Sequence, residues 1–430
     1  MGNVLPISVC PICELDADDD DSVGHDEQKL HVSVYGESRR ADGVSFRSDL
    51  SSCKIIIPTH MLHGRQGLRV LGFDYRTVRP GVGGDGACRR LHHVVSGDMI
   101  TSNNSRIYIP DCLFAEVTRC CQDIAQEILL SEGGLERLVV RDEGDEIRTV
   151  ALVSTKGRED ETLSSDDGEE TLDTCSLSED GSTRSGDMAH GNRSRPTLLV
   201  VSGRGHSRAG IFSRRQLLVS GIEAATALNT VKEGRKRGWN VVLMDHYSQP
   251  PPHSAFHNET MDSFESSLEA IFGNNHEQGS PSQYSSSASS STFDCSQGPL
   301  YILAHSASGG KLVVSLLEGK ARQYLLPRIG GIVFTDSTHN IQWCSGVQRV
   351  WDLLESKCLY VRSNEVRSSP WQDGDETRQA GEEVNVDTFW EHRFGAIKTV
   401  WAGTADHSLM NVTSADVIWR FFDEAHSKKW

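Results

Sequence analysis

The sequence predicts an α/β protein, a three-layer sandwich in which helices cover a mostly parallel sheet of about eight strands, with an N-terminal extension in front. Three observations carry that expectation. Short apolar runs near 197, 240, 300, 330, 359 and 396 read as six strands. From 197 onward strand and helix patterns alternate, which builds a parallel sheet with right-handed crossovers. A hairpin pattern ahead of them brings the count to about eight.

The elements follow in chain order. Over 111–130, Leu113, Val117, Ile124 and Ile128 recur near helical spacing, with Asp111 as N-cap and Gly133-Gly134 as terminator. Two strands, 135–140 and 147–153, flank the turn signal Asp142-Glu143-Gly144-Asp145. Thr197-Leu198-Leu199-Val200-Val201 holds four consecutive apolar residues, which suits a strand covered on both faces. A helix over 224–237 is closed by Gly238, and Asn240-Val241-Val242-Leu243-Met244 is the next buried strand. Strands ending at His305, Thr335, Arg362 and Ala402 then alternate with helices, including 346–357 and 412–425. Trp351, Leu354, Ile418 and Phe421 are expected in the core.

Composition bounds the rest. The chain has 430 residues, 37% of them hydrophobic, which is low for a fully packed protein. Three stretches carry the deficit: an acidic arm over 1–60, an acidic insert over 155–195, and a Ser/Pro-rich insert over 249–297. Each buries too little apolar surface to offset its ordering entropy and is expected to be disordered or insert-like, the two inserts as long surface loops. The helix and hairpin of 61–154 open the folded domain, and 196–425 forms its core. A net charge of −17 argues against non-specific nucleic-acid binding by the whole molecule, while leaving room for a local basic face at Arg204, Arg208, Arg214 and Arg215.

The 11 cysteines are scattered and odd in number, which fits a reducing compartment better than a disulfide framework. Cys10-Pro11-Ile12-Cys13 has no second pair at zinc-site spacing, so no metal is expected. The start Met1-Gly2-Asn3-Val4-Leu5-Pro6 fails the myristoylation pattern at Pro6. No signal peptide and no run of about 20 apolar residues is present, so a soluble protein that is not secreted is expected.

The chemistry concentrates at Ser306. In Leu300-Tyr301-Ile302-Leu303-Ala304-His305-Ser306-Ala307-Ser308-Gly309-Gly310 an apolar strand runs into a serine flanked by small residues, and Leu312-Val313-Val314 starts a helix. A nucleophile elbow places its serine on a strained strand-to-helix turn whose flanking positions must be small; the usual pattern is G-x-S-x-G. Here Ala304 and Ser308 stand in the glycine places. Downstream, Asp336 follows one strand and His407 follows another. Serine, acid, histidine, each past the C-terminal end of a strand, is the chain order of α/β-hydrolases. Glu365, after the strand ending at Arg362, competes with Asp336 for the acid role.

These runs resemble the argonaute-binding (Arb) domain family, which includes the family-172 cotranscriptional regulators. Its hallmarks A-H-S-Y-G-G, T-D-S-x-H-N and A-G-T-x-x-H stand here as A-H-S-A-S-G-G at 304–310, with Ser308 where the family has Gly, T-D-S-T-H-N at 335–340 and A-G-T-A-D-H at 402–407. Arg208-Ala209-Gly210 with Arg214-Arg215, and Leu71-Gly72-Phe73-Asp74-Tyr75, match two further runs, and the resemblance spans roughly 68–425. It implies an α/β-hydrolase-like fold and an adaptor role. The implied partners are Argonaute or other small-RNA and chromatin-silencing proteins, with RNA as a further partner, in nucleus or cytoplasm. Where the family reads H-G-S-G on the oxyanion side, this chain has Ser202-Gly203-Arg204-Gly205.

Two functions follow, the adaptor being the expected biological role and the serine hydrolase its alternative. As a serine hydrolase acting on an ester or amide without a cofactor, the protein uses Ser306 as nucleophile, His407 as base, and Asp336 or Glu365 as orienting acid. The N–H of Ala307 and the loop at Gly203 and Gly205 then hold the oxyanion. As an adaptor it uses the same scaffold for binding, with Arg208, Arg214 and Arg215 pairing inside the fold or holding a phosphate.

Overall fold

The computed structural model describes residues 8–10, 29–35, 37–39, 45–47, 54–58, 62–79, 87–141, 147–155, 195–203, 207–245, 258–273, 298–364 and 378–428. At its centre is one sheet. Its strands are β1 (Leu135–Arg141), β2 (Ile147–Ser154), β3 (Thr197–Val201), β4 (Asn240–Met244), β5 (Leu300–His305), β6 (Ile329–Thr335), β7 (Cys358–Arg362) and β8 (Lys398–Trp401). Across the sheet the order is β1-β2-β4-β3-β5-β6-β7-β8. β2 runs antiparallel to both neighbours, and every other pairing is parallel. This is an α/β-hydrolase fold.

The register aims the site. Val201 pairs with both Met244 and Ala304, so β3, β4 and β5 end level with one another. The chain leaves β3 toward β4 on one side and returns to β5 on the other. A crevice opens where winding reverses, at the carboxyl ends of the strands. Every residue of β3, β5 and β6 is buried, as strands sandwiched between helix layers must be.

Helices α1 (Asp111–Ser131), α3 (Leu228–Lys236) and α8 (Ala415–Ser427) share one apolar cluster with the sheet through Leu129, Val231, Ile418 and Phe422. Helices α4 (Asn258–Phe272), α5 (Ala307–Glu318), α6 (Gln348–Ser356) and α7 (Thr388–Phe394) share a second one through Phe264, Leu312, Val350 and Phe394. Between α1 and α3 in the chain lies α2 (Arg214–Val219). A third cluster, including Leu68, Phe73, Leu91, Val117 and Ile124, seats the N-terminal part of the domain against Ile211 and Leu217. The Tyr75 hydroxyl donates to the Leu217 carbonyl across that seam at 2.8 Å.

Several elements differ from the sequence-based expectation. Asp111 is the first residue of α1 rather than its cap, which is Pro110. The helix expected over 224–237 is broken: Ile222–Ala225 stops at Thr226, whose extended backbone bridges to Ile211, and α3 begins at Leu228. The helix expected over 412–425 divides at Ser414. Part of the insert expected over 249–297 as a long surface loop is α4, whose Phe264 and Leu268 are fully buried. Phe264, Leu268, Ile271 and Phe272 recur every three to four residues and form one apolar stripe, which a reading by bulk composition overlooks.

Within the arm over 1–60 the structure describes short antiparallel pairings. Lys29–Tyr35 pairs with Ser8–Cys10 and Lys54–Pro58, and Glu37–Arg39 with Ser45–Arg47. The rest of the arm, and the insert over 155–195 apart from its ends, lie outside the described residues. Among the described residues no helix is long and apolar enough to cross a membrane, and no group of His, Cys, Asp or Glu is placed to hold a metal ion.

Candidate active site

Ser306 joins β5 to α5 at φ 58°, ψ −130°. Among the described residues only two non-glycine residues have positive φ: Ser306 and Asp336, the latter at 44°. Such conformations cost about 1–3 kcal/mol each and persist where their surroundings over-determine them. The surroundings of Ser306 do so. Its N–H donates to the Thr335 carbonyl at 2.9 Å, and its carbonyl accepts from Gly309 N at 3.2 Å and Thr338 N at 3.3 Å. Ser308, in the place of the usual glycine, is buried, and its hydroxyl lies 2.7 Å from the His305 carbonyl and 2.9 Å from that of Val201. The departure from glycine thus adds a tie between the elbow and β3.

Close packing explains the glycines. A Cβ on Gly309 would stand 2.0 Å from Ser337 Oγ and 2.9 Å from Phe334. A Cβ on Gly203, just past β3, would stand 3.1 Å from the Ser306 Cβ. Gly203 therefore brings bare backbone against the serine, as an oxyanion loop requires. Ala307 is the first residue of α5, where helical N–H groups have no intrahelical acceptor. Gly205 and Arg204 lie outside the described residues.

Asp336 and His407 meet. His407 Nδ1 lies 2.9 Å from Asp336 Oδ2, and Asp336 Oδ1 accepts from Ser363 N at 2.9 Å. Burial pushes the Asp336 pKa up, but the bonds from His407 and Ser363 outweigh it, and the net shift is downward. The carboxylate is thus the acceptor, and Nδ1 carries the proton. Glu365, the competing acid, lies outside the described residues. The loop bearing His407 is itself tied down. Gly403 has φ 77°, Thr404 Oγ1 accepts from Asp406 N at 3.1 Å, and Gln216 Nε2 donates to Asp406 Oδ2 at 2.8 Å.

The Ser306 hydroxyl makes no hydrogen bond among the described residues, and His407 is exposed while Ser306 is half-buried. In unliganded sites the nucleophile–base bond is often long and tightens only around substrate.

Some groups at the site escape reading by sequence order. His305, two per cent exposed, stacks on His407 with ring centroids 4.6 Å apart. His339 Nδ1 meets Ser337 Oγ at 2.7 Å, and the Tyr360 hydroxyl donates to the Ser337 carbonyl at 2.8 Å. Together they prop the turn that holds Asp336 at positive φ. A histidine directly before the serine, and another three residues after the aspartate, were the only signals in the sequence.

The three arginines separate. Arg208 pairs inside the fold with Asp123 at 2.5 Å, and its N–H donates to Gln122. Arg214 and Arg215, in the first turn of α2, have no partner among the described residues.

No family model matches the chain, and no curated protein does. Among solved structures, a "putative carboxylesterase" from Lactobacillus plantarum WCFS1 aligns with 68% of this chain and 98% of its own, at 10% identity and a TM-score of 0.31. At that score the likeness carries no argument, and the fold rests on the strand order. The resemblance to the argonaute-binding family, and the partners it implies, gain no support from these comparisons.

Proposed function

We propose that the protein is a serine hydrolase of esters or amides. One observation carries the reading: the only two strained non-glycine residues among those described are the elbow serine and the aspartate bonded to His407. Strain of this kind collects where a reacting group must be held in place. Ser306 Oγ attacks the carbonyl carbon as its proton passes to His407 Nε2, while Asp336 holds the ring by Nδ1 and stabilises the imidazolium. The N–H of Ala307, at the start of α5, and the backbone at Gly203, packed against Ser306, are the donors this reading assigns to the oxyanion. Collapse of the tetrahedral intermediate expels the leaving group, which takes the proton from His407, and water then frees the acyl group by the reverse route.

The test is labelling of the purified protein by a fluorophosphonate, which phosphonylates an activated serine. Labelling is expected in the wild type and lost in Ser306→Ala and His407→Ala. A folded wild type that takes no label overturns the reading.

A second reading, the adaptor, is favoured by Arg214 and Arg215, whose guanidiniums have no partner among the described residues and are free for phosphate. It predicts that Arg214→Glu/Arg215→Glu abolishes binding of single-stranded RNA. Undiminished RNA binding by that variant, or none by the wild type, counts against it.

A further inference from the structure

His305 is buried, aromatic and uncharged, and the triad as proposed makes no use of it. Three contacts fix its ring. Its Nδ1 meets Thr335 Oγ1 at 3.0 Å, and that hydroxyl donates onward to Asn411 Oδ1 at 3.0 Å. Phe212 closes on it edge-to-face, with centroids 5.7 Å apart. Its Cδ2 lies against Gly203, where a Cβ would come within 3.3 Å. The remaining open face of the ring carries His407, at 4.6 Å and an interplanar angle of 29°.

Among the described residues the His407 ring makes one hydrogen bond, from Nδ1 to Asp336. A single bond at one edge constrains the tilt of the ring about Cβ–Cγ only weakly, and the ring is 45% exposed. The missing constraint is a surface for the ring plane, and His305 supplies it. It is also suited to a neighbour that becomes cationic. A neutral aromatic face attracts a cation, whereas a second imidazolium at this distance would repel it. Burial, with the charge of His407 next, holds the His305 pKa down to about 3.

We propose that His305, anchored through Thr335 to Asn411, is a positioning residue that fixes the ring plane of His407 toward Ser306. The catalytic meaning of this rests on the hydrolase reading; the geometric claim does not. The inference therefore has two separate readouts. One is the downfield proton resonance of His407 Nδ1–H, sharp only while the ring stays bonded to Asp336. The other is the rate of fluorophosphonate labelling.

In His305→Ala the resonance is expected to broaden away, and labelling to slow by about ten- to a hundredfold, the scale of a misplacement near 1 Å. His305→Phe, which restores a neutral ring, is expected to recover most of both. Thr335→Val keeps the ring and its volume but cuts the anchor, and is expected to broaden the resonance partially; it decides the matter if His305→Ala fails to fold. A sharp resonance with labelling within about twofold of wild type, in folded His305→Ala or Thr335→Val, overturns the proposal. If wild type takes no label but the resonance is still lost in His305→Ala, positioning stands and the hydrolase reading falls.

Discussion

At the residue scale, buried hydrogen bonds and free charges separate structural from functional side chains. The Ser308 hydroxyl is buried against two carbonyls, so Ser308→Ala should destabilise the fold by about 1–3 kcal/mol, read as a lower urea midpoint at unchanged m-value. Ser308 was legible as a small residue in a glycine place, but its bond to Val201 was not, because Val201 is 107 positions away. The arginines divide by partner. Arg208→Glu sets two acids against each other at Asp123 and should lower the melting temperature. Arg214→Glu/Arg215→Glu should stay within about 0.5 kcal/mol of wild type, as surface changes without partners do.

At the element scale, the elbow is a strand and a helix pressed against a neighbouring turn. Gly309→Ala drives a methyl into Ser337 and Phe334, which back the turn of Asp336. Overpacking of this kind costs about 1–3 kcal/mol, and here it also displaces the acid, so stability and labelling should fall together. Gly310→Ala meets Thr338 Oγ1 at 2.9 Å, the end of a side chain that can rotate away, and should be milder on both counts. A milder Gly309→Ala than Gly310→Ala would contradict this packing account. Strands were legible because a buried parallel strand is a plain apolar run. Helix α4 was not, because its stripe lies in a segment whose serines and prolines dominate the composition.

At the scale of the whole molecule, stability should depend on pH through buried histidines. His305 is held at about 3 by burial and the charge of His407, and His339 at about 3 by burial and Arg393. In the unfolded chain each returns to about 6.5. Between these values the unfolded state binds more protons, so stability is full above about pH 6.5 and falls as pH drops toward 3. Within that window each histidine adds up to about one proton to the excess bound by the unfolded state. Asp336, lowered in the fold, contributes stability that is present above its unfolded value and lost as pH falls through its lower native value, so it adds to the loss on the acid side. Urea unfolding from pH 7 to 4 should show this decline, and His339→Phe, set among Phe334, Tyr360 and Phe394, should reduce its slope by about one proton. An unchanged slope in that variant would show that His339 is not held neutral.

The sequence by itself determined the α/β class, a sheet of about eight strands and the order serine, acid, histidine along the chain, with Asp336 and Glu365 both open as the acid. These are local matters, because apolar runs and small residues at a turn act within a few positions of one another. The strand order was beyond it, as were the bond from Asp336 to His407, the stack of His305 beneath that ring and the pairing of Arg208 with Asp123. Each joins residues that only sheet register and helix packing bring together, and a linear pattern holds no record of which distant surfaces exclude water from one another.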